Sequence, residues 1–217
     1  MPLMFDPAPQ VTVAVTGRGE VPVHRIFCVG RNYAAHAAEM GGAVDRETPT
    51  YFLKSAHAVI PSGGDLPYPP GTRSLHHEVE LVLALGPDLR PVAAGVALDM
   101  TRRDLQKAAK DTGRPWDLAK DFEASAVIAP MVSIAELSGE AAIRLWVNGT
   151  LRQEGRLSEM IWGVDEVLAD LGRYYTLHAG DLLLTGTPSG VGEVHPGDRI
   201  EAEIDGLPRL EVEVAQR

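Results

Sequence analysis

Cysteine is almost absent from this chain. Cys28 is the single cysteine among 217 residues, which excludes an intrachain disulfide and a metal site built from several thiolates. It stands in the apolar run Ile26-Phe27-Cys28-Val29. We therefore expect it to be a small buried hydrophobe rather than a reactive thiol.

Positive charge is also scarce. Lysine and arginine total 20 against 30 aspartate and glutamate, giving a net charge of −10. With no basic cluster, neither nucleic acid nor an anionic membrane surface is expected as a partner. No apolar run approaches the roughly 20 residues that span a bilayer, and the first residues lack the basic start and apolar stretch of a secretory signal. We therefore expect a cytoplasmic protein.

Strand-like apolar patterns dominate what is present. Asn148-Gly149 and Asp205-Gly206 each stand between alternating apolar residues, and such dipeptides predict hairpin turns. The predicted strands cover residues 25–30, 50–54, 78–85, 141–147, 181–185, 199–204 and 210–214.

Three helices interrupt these strands, and each begins at a side chain that can cap: Asn32, Thr101 and Ser158. Because strands and helices do not alternate, the pattern indicates an α+β fold and not a doubly wound nucleotide-binding fold. The length suits one domain, 21–217, after an N-terminal extension, 1–20. The predicted helices run from 32 to Met40, ended by Gly41-Gly42, from 101 with Asp104 in its first turn to about Thr112, and from 158 through Leu171.

A pair of carboxylates opens the strand that follows His77. Glu78 and Glu80 are two residues apart in a strand pattern, so both side chains lie on one face. Burying two like charges is costly unless a cation compensates them, and a hard divalent ion such as Mg²⁺ is the natural compensation. The alternative is an edge strand whose acidic face lies in water.

A third carboxylate, Asp99, ends another apolar run just ahead of the second predicted helix. It could present its oxygens to the same cation, or it could simply cap the helix. Arg103 and Gln106 lie in the first turns of that helix and could reach an anion bound to the metal, although such a stripe is usually solvated. Lys120, taken alone, is more typical of a surface residue.

The first predicted helix offers an acid–base pair. His36 and Glu39 are three residues apart, so they share one helix face. A carboxylate beside an imidazole fixes its tautomer and raises its basicity, as a water-activating base requires. The alternative is an ordinary exposed polar face. A glycine-rich segment, 186–192, lacks the lysine ending of a phosphate-binding loop, and we expect it to line a site.

These elements occur together in an order that resembles the fumarylacetoacetate hydrolase superfamily. The resemblance extends from about residue 26 to 198, and the segment before the acidic strand is similar to the acylpyruvate and fumarylpyruvate hydrolase branch. The motifs that carry it are Gly30-Arg31-Asn32-Tyr33 with His36 and Glu39, His77-Glu78-Val79-Glu80, Leu98-Asp99-Met100-Thr101 with Arg103 and Gln106, Trp116 with Lys120, and Gly186-Thr187-Pro188 with Gly190 and Gly192.

The resemblance implies a role for each matching residue. Metal ligands would be Glu78, Glu80 and Asp99, holding Mg²⁺, with Mn²⁺ or Ca²⁺ as other ions that the family uses. The water-activating pair would be His36 and Glu39, and Lys120 and Gln106 would complete the catalytic group. Substrate contacts would come from Arg31, Tyr33, Lys54, Arg103 and Thr187.

The implied fold is a mixed β-sheet roll with a few flanking helices, usually assembled as a homodimer. The implied activity is metal-dependent hydrolysis of a carbon–carbon bond in a 2,4-dioxo acid, with fumarylpyruvate or a similar acylpyruvate as substrate. Alternatives within the superfamily are oxaloacetate decarboxylation and the isomerisation or decarboxylation of a homoprotocatechuate-pathway acid. A more distant alternative is a metal-binding scaffold without catalysis.

Overall fold

The computed structural model describes residues 3–39, 41 and 46–216. Met40 and Gly42, with which the first helix was predicted to end, lie outside this part. The described residues form eighteen strands and four α-helices. The helices are α1 (Ala34–Glu39), α2 (Arg103–Thr112), α3 (Asp117–Lys120) and α4 (Val164–Leu171). The strands are β1 (Thr12–Val15), β2 (Gly19–Pro22), β3 (Ile26–Gly30), β4 (Thr50–Lys54), β5 (Val59–Pro61), β6 (Asp65–Leu66), β7 (Leu75–His77), β8 (Val79–Leu85), β9 (Pro91–Asp99), β10 (Thr101–Arg102), β11 (Ala126–Ile128), β12 (Val132–Ser133), β13 (Ala142–Val147), β14 (Thr150–Arg156), β15 (Leu182–Leu184), β16 (Gly192–Val194), β17 (Arg199–Ile204) and β18 (Leu210–Val214).

The sheets mix parallel and antiparallel pairs. The largest follows the order β4-β3-β15-β8-β9-β11-β5, with β12 also paired to β9, and β15 runs parallel to β3. A second sheet has the order β14-β13-β17-β18-β6. This arrangement confirms the predicted α+β roll, and all seven predicted strands are present.

Two layers of apolar side chains hold the roll together. Strand β8 is buried on both faces, as expected for a central strand. Leu81 and Leu83 point into a core shared with the second sheet, while Val82 and Ala84 point into a core shared with the first strands of the chain. Both faces are therefore excluded from water, so an acidic residue on this strand needs a partner.

Both predicted hairpin turns are present, joining β13 to β14 and β17 to β18. Asn148 and Gly149 have φ angles of +51° and +75°. A two-residue turn with both φ positive matches the right-handed twist of the strands, and it selects Asn-Gly for that reason.

The helix starts depart from the prediction. Asn32 does not cap α1, because its amide bonds distant backbone groups instead. Asp104 does not close a capping box, because it accepts bonds from Thr72 Oγ1 at 2.5 Å and Arg73 N at 3.0 Å. Ser158 does not open the third predicted helix. That helix, α4, begins at Val164, after Gly163 donates to Glu166 at 2.9 Å.

The first strands pack onto the roll. The hairpin β1–β2 buries Val13 and Val15, and the N–H of Thr16 donates to the carbonyl of Met131 at 2.8 Å. Strand β2 runs across residue 20, and the domain boundary placed there stays a prediction. In the described ranges, no helix has the length and apolar character needed to cross a membrane.

Candidate active site

Three carboxylates meet at the end of two neighbouring strands. Glu78 precedes β8 and Glu80 lies in it, while Asp99 ends β9, whose N–H at Asp99 donates to the carbonyl of Glu78 at 2.9 Å. One oxygen from each carboxylate lies within 4.8 Å of the others. Antiparallel pairing therefore brings together residues about twenty positions apart in sequence, and the water-exposed edge strand considered for Glu78 and Glu80 is excluded.

Cationic side chains compensate two of these three carboxylates. Glu78 accepts bonds from Arg103 and from Lys120 Nζ, the latter at 2.6 Å. Asp99 lies 2.7 Å from Lys120 Nζ and 2.9 Å from Lys54 Nζ. Burial would raise the pKa of Glu78, but Lys120 and Arg103 outweigh it and hold that pKa below its ordinary value.

Glu80 is the carboxylate that lacks a cation. Its side chain is buried, and among the described residues it accepts a bond from the N–H of Gly186 at 2.8 Å but forms no ion pair. Burial raises its pKa, and the charges of Asp99 and Glu78 raise it further. A divalent cation between the three carboxylates would supply the missing positive charge, and an all-oxygen donor set is the one that such hard ions prefer. The residues therefore fit a divalent metal site.

The predicted acid–base pair is formed on α1. His36 Nδ1 lies 3.3 Å from Glu39 Oε2, and Glu39 is also held by the N–H of Gly190 at 3.1 Å. Gly190 has a φ of +95°, and a Cβ there would lie 1.9 Å from a backbone oxygen, so glycine is required. Burial lowers the pKa of His36 below its ordinary value, against the opposing effects of Glu78 and Glu39. The imidazole is therefore neutral at pH 7 and can accept a proton.

Helix α2 turns a polar face toward the carboxylates. Gln106 is its one fully buried residue, whereas the apolar Ala108 is exposed. The inward side of this helix therefore borders a polar cleft rather than an apolar core. Arg103 donates to Gln106 Oε1 at 2.6 Å, so the amide oxygen is occupied and the amide N–H₂ remains available as a donor.

Lys120 is buried, contrary to the expectation for an isolated lysine. It ends the short helix α3, and Asp99 and Glu78 raise its pKa against the lowering effect of burial. Two of its three N–H groups bond these carboxylates. A third remains to point at a ligand.

The glycine-rich loop contributes Thr187. Its hydroxyl accepts a bond from Gln153 Nε2 at 2.7 Å, and the same nitrogen donates to the carbonyl of Pro188 at 2.9 Å. The Gln153 oxygen accepts from the N–H of Val79 at 3.1 Å. Gln153 therefore connects the loop to the acidic strand.

These elements line one cleft. Three of the predicted residues do not line it. Tyr33 is buried outside the cleft, Glu39 lies behind His36, and Lys54 lies behind Asp99, where it also bonds the carbonyl of Lys120. Nine predicted residues do line it: Arg31, His36, Glu78, Glu80, Asp99, Arg103, Gln106, Lys120 and Thr187.

Several residues around the cleft were not singled out from the sequence. Asn32 is fully buried and fastens α1 through bonds to the carbonyls of Trp162 and Thr185 at 3.0 and 2.8 Å. In the sequence, Gln153 is indistinguishable from an ordinary polar residue of an exposed hairpin. Lys110 lines the cleft, but nothing in the sequence distinguishes it from Lys107 of the same helix, which is exposed.

Comparison with known proteins places this geometry in a family. The family described as fumarylacetoacetate (FAA) hydrolase C-terminal matches residues 25–215. The fumarylpyruvate hydrolase of Ralstonia sp is 44% identical over 192 residues, which cover 81% of this chain and 98% of that protein. Oxaloacetate tautomerase FAHD1 of Homo sapiens is 43% identical over 201 residues, covering 87% and 90%.

A solved structure agrees in fold as well as in sequence. The crystal structure of fumarylpyruvate hydrolase from Pseudomonas aeruginosa in complex with Mn²⁺ and pyruvate superposes with a TM-score of 0.94, at 40% identity and with complete coverage of both chains. The chain belongs to the fumarylacetoacetate hydrolase family, and its acidic triad has a donor set that fits a divalent metal ion.

Proposed function

We propose that this protein is a metal-dependent hydrolase that cleaves a carbon–carbon bond in 2,4-dioxo acids, with fumarylpyruvate as the leading substrate. The observation that carries the proposal is the meeting of a buried carboxylate triad and a His–Glu pair in one cleft. The similarity to fumarylpyruvate hydrolases, one of them solved with Mn²⁺ and pyruvate, supports it.

The metal ligands would be Glu78, Glu80 and Asp99, and we propose Mg²⁺ as the ion. When bound, such an ion supplies Lewis-acid polarisation of the 2-oxo acid end and stabilises negative charge that develops there.

His36 prepares the nucleophile. Glu39 accepts the Nδ1–H, which leaves Nε2 as the basic nitrogen facing the cleft. This nitrogen takes a proton from water while the water oxygen bonds to the 4-carbonyl carbon. The C3–C4 bond then breaks, its electron pair goes to C3, and the proton held by His36 can be returned there. The products are pyruvate and a carboxylic acid.

Two donors face the developing oxyanion. The free N–H of Lys120 and the free amide N–H₂ of Gln106 are both held by bonds to neighbouring groups, so their direction is set before the substrate arrives. Preorganised donors of this kind stabilise a tetrahedral intermediate more than they stabilise the ground-state ketone.

The test is a panel of fumarylpyruvate, acetylpyruvate, fumarylacetoacetate and oxaloacetate, assayed with Mg²⁺, with Mn²⁺ and with excess chelator. We expect pyruvate release from the acylpyruvates, its loss in chelator and its recovery on adding metal. Full turnover in chelator with no metal bound, or absence of pyruvate from every acylpyruvate, would refute the proposal.

A second candidate is proton transfer on oxaloacetate, because relatives with similar identity are oxaloacetate tautomerases. Tautomerisation needs the same metal-binding end and a base but no attacking water. Following the enol and keto forms of oxaloacetate by ultraviolet absorbance, alongside pyruvate release, separates this activity and decarboxylation from hydrolysis.

We further propose that the protein acts in the cytoplasm as a homodimer. The resemblance to the family supports the assembly. Light scattering on the protein as it elutes from a sizing column measures the oligomeric state, and cell fractionation measures the location.

A further inference from the structure

Two cations at the mouth of the cleft form no ion pair with any residue that the structure describes. Arg31 is exposed and Lys110 is half-buried, and both line the cleft whose floor is fully buried. Within the residues that the structure describes, neither side chain forms an ion pair. The deeper cations differ, because Arg103 and Lys120 are bound to Glu78.

Lys110 continues the row of polar side chains that α2 presents to the cleft. Arg103, Gln106 and Lys110 follow one another at helical spacing on the same face. At 1.5 Å per residue, Lys110 lies about 6 Å beyond Gln106 along the helix axis. A substrate with its 4-carbonyl at Gln106 would therefore extend its acyl part toward Lys110.

Packing restricts where the Lys110 ammonium can go. Its Nζ lies 5.1 Å from the centre of the Trp116 ring, and Trp116 also lines the cleft. Burial lowers the pKa of Lys110 to about 8, with Arg31 and Arg103 adding to the effect. A bound anion would relieve this crowding of positive charge.

Arg31 is held in an unusual backbone conformation. Its φ is +58°, in the left-handed region that residues other than glycine rarely adopt. Strain of this kind persists where the surrounding structure imposes it, often beside a ligand site.

We propose that Lys110 and Arg31 form an anion subsite for a terminal carboxylate on the acyl part of the substrate. This inference rests on the proposed function and refines it: the substrate class is 2,4-dioxo acids that carry a second carboxylate. Lys110 is the residue that determines this specificity. The competing account is that its stem merely covers Trp116, as lysine stems often cover apolar surface.

The first experiment compares two substrates in Lys110→Met, which removes the charge and keeps the stem, and Lys110→Arg, which keeps the charge. Lys107→Met is the matched control, because Lys107 lies on the same helix but is exposed and paired with Asp111. For Lys110→Met we expect KM for fumarylpyruvate to rise about 10- to 100-fold, the range for losing a charged hydrogen bond. We expect kcat/KM for acetylpyruvate to change less than about twofold, and Lys110→Arg to retain most of the preference.

The second experiment needs no turnover. The Mg²⁺-loaded protein is titrated calorimetrically with 2-oxopimelate and with 2-oxoheptanoate, which share their length and differ in the terminal carboxylate. The wild type should bind the diacid more tightly, and Lys110→Met should lose that advantage. Equal losses for both substrates, or an unchanged diacid advantage in Lys110→Met, would overturn the subsite. If Lys110→Met loses the tighter binding of the diacid but the wild type hydrolyses neither acylpyruvate, the proposed function would be refuted and the subsite would still be supported.

Discussion

Replacing Glu80 by Gln should have opposite effects on the metal-free and the metal-loaded protein. Glu80 is buried beside two other carboxylates and has no cationic partner among the described residues. Without metal, the negative charge of Glu80 destabilises the folded protein. Glutamine keeps the shape of the side chain and the oxygen that accepts a bond from the N–H of Gly186. With metal, the same charge is a ligand, and glutamine is a much weaker one.

The size of the first effect follows from the geometry. Two unit charges at the 4.8 Å limit of the triad repel by about 3 kcal/mol at an effective dielectric constant of 20. Lys120 offsets part of this repulsion, so we expect metal-free Glu80→Gln to be more stable than wild type by about 1–3 kcal/mol. For a chain of this length, that difference raises Tm by roughly 2–12 °C.

The second effect is a loss of stabilisation by metal. An ion at 100 times its Kd stabilises the native state by about 2.7 kcal/mol, which corresponds to a rise of roughly 5–11 °C in wild type. Glu80→Gln should show little rise at the same concentration.

Thermal unfolding in chelator and at increasing concentrations of Mg²⁺ measures both effects. Glu20→Gln is the control for removing one negative charge, because Glu20 lies at an exposed strand position. A metal-free Glu80→Gln protein that is less stable than wild type, or one that keeps the full metal response, would refute this account of the triad.

Three further predictions concern the groups around the triad. His36→Ala should lower the rate of acylpyruvate hydrolysis at least 100-fold, in line with about 10²–10⁴ for a general base. The variant should still be stabilised by the metal. In the wild type, kcat/KM should fall only below pH 6.5, because burial lowers the pKa of His36 from that value. Arg103→Lys should lower kcat/KM by about tenfold or more, because a planar fork contacts Glu78 and Gln106 together, and unchanged kinetics would remove Arg103 from the site. Asn32→Ala should destabilise the protein by about 3 kcal/mol, since three hydrogen bonds, one buried and two partly buried, are lost. A change below about 1 kcal/mol in urea unfolding would contradict that role.

The strands were predictable because the alternation of apolar and polar residues is contained within each strand. Alternation in 199–204 and the Asp205-Gly206 turn are local signals, and the structure has β17, the turn and β18 where they indicate. The start of α4 was not predictable in this way. Ser158 has the composition of a cap, but its hydroxyl bonds Glu140 at 3.1 Å, a contact that depends on the tertiary fold.

The same distinction applies to the site. The side-by-side placement of Glu78 and Glu80 follows from strand geometry alone, and their burial follows once β8 is known to be central. The burial of Lys120 does not, because its partner Asp99 lies 21 residues away and a short helix must carry the lysine to it. The local pattern predicted a surface residue, whereas the Lys120 side chain is buried in the cleft. The catalytic role that the resemblance implies for Lys120 stays a prediction.

The charges in the cleft connect metal binding to substrate binding. Glu78, Glu80 and Asp99 contribute up to three negative charges. Two buried cations, Lys54 and Lys120, and the partly buried Arg103 contact two of those carboxylates. When Glu80 is ionised, this inner group is neutral before any ion enters, although Glu80 itself has no cationic partner among the described residues. A divalent ion satisfies Glu80 and leaves the buried group with two excess positive charges, which are costly away from water. A 2-oxo carboxylate that loses a proton on becoming an enolate brings two negative charges. The floor of the cleft is thus matched to a metal and a dianion together, and each should bind more tightly when the other is present.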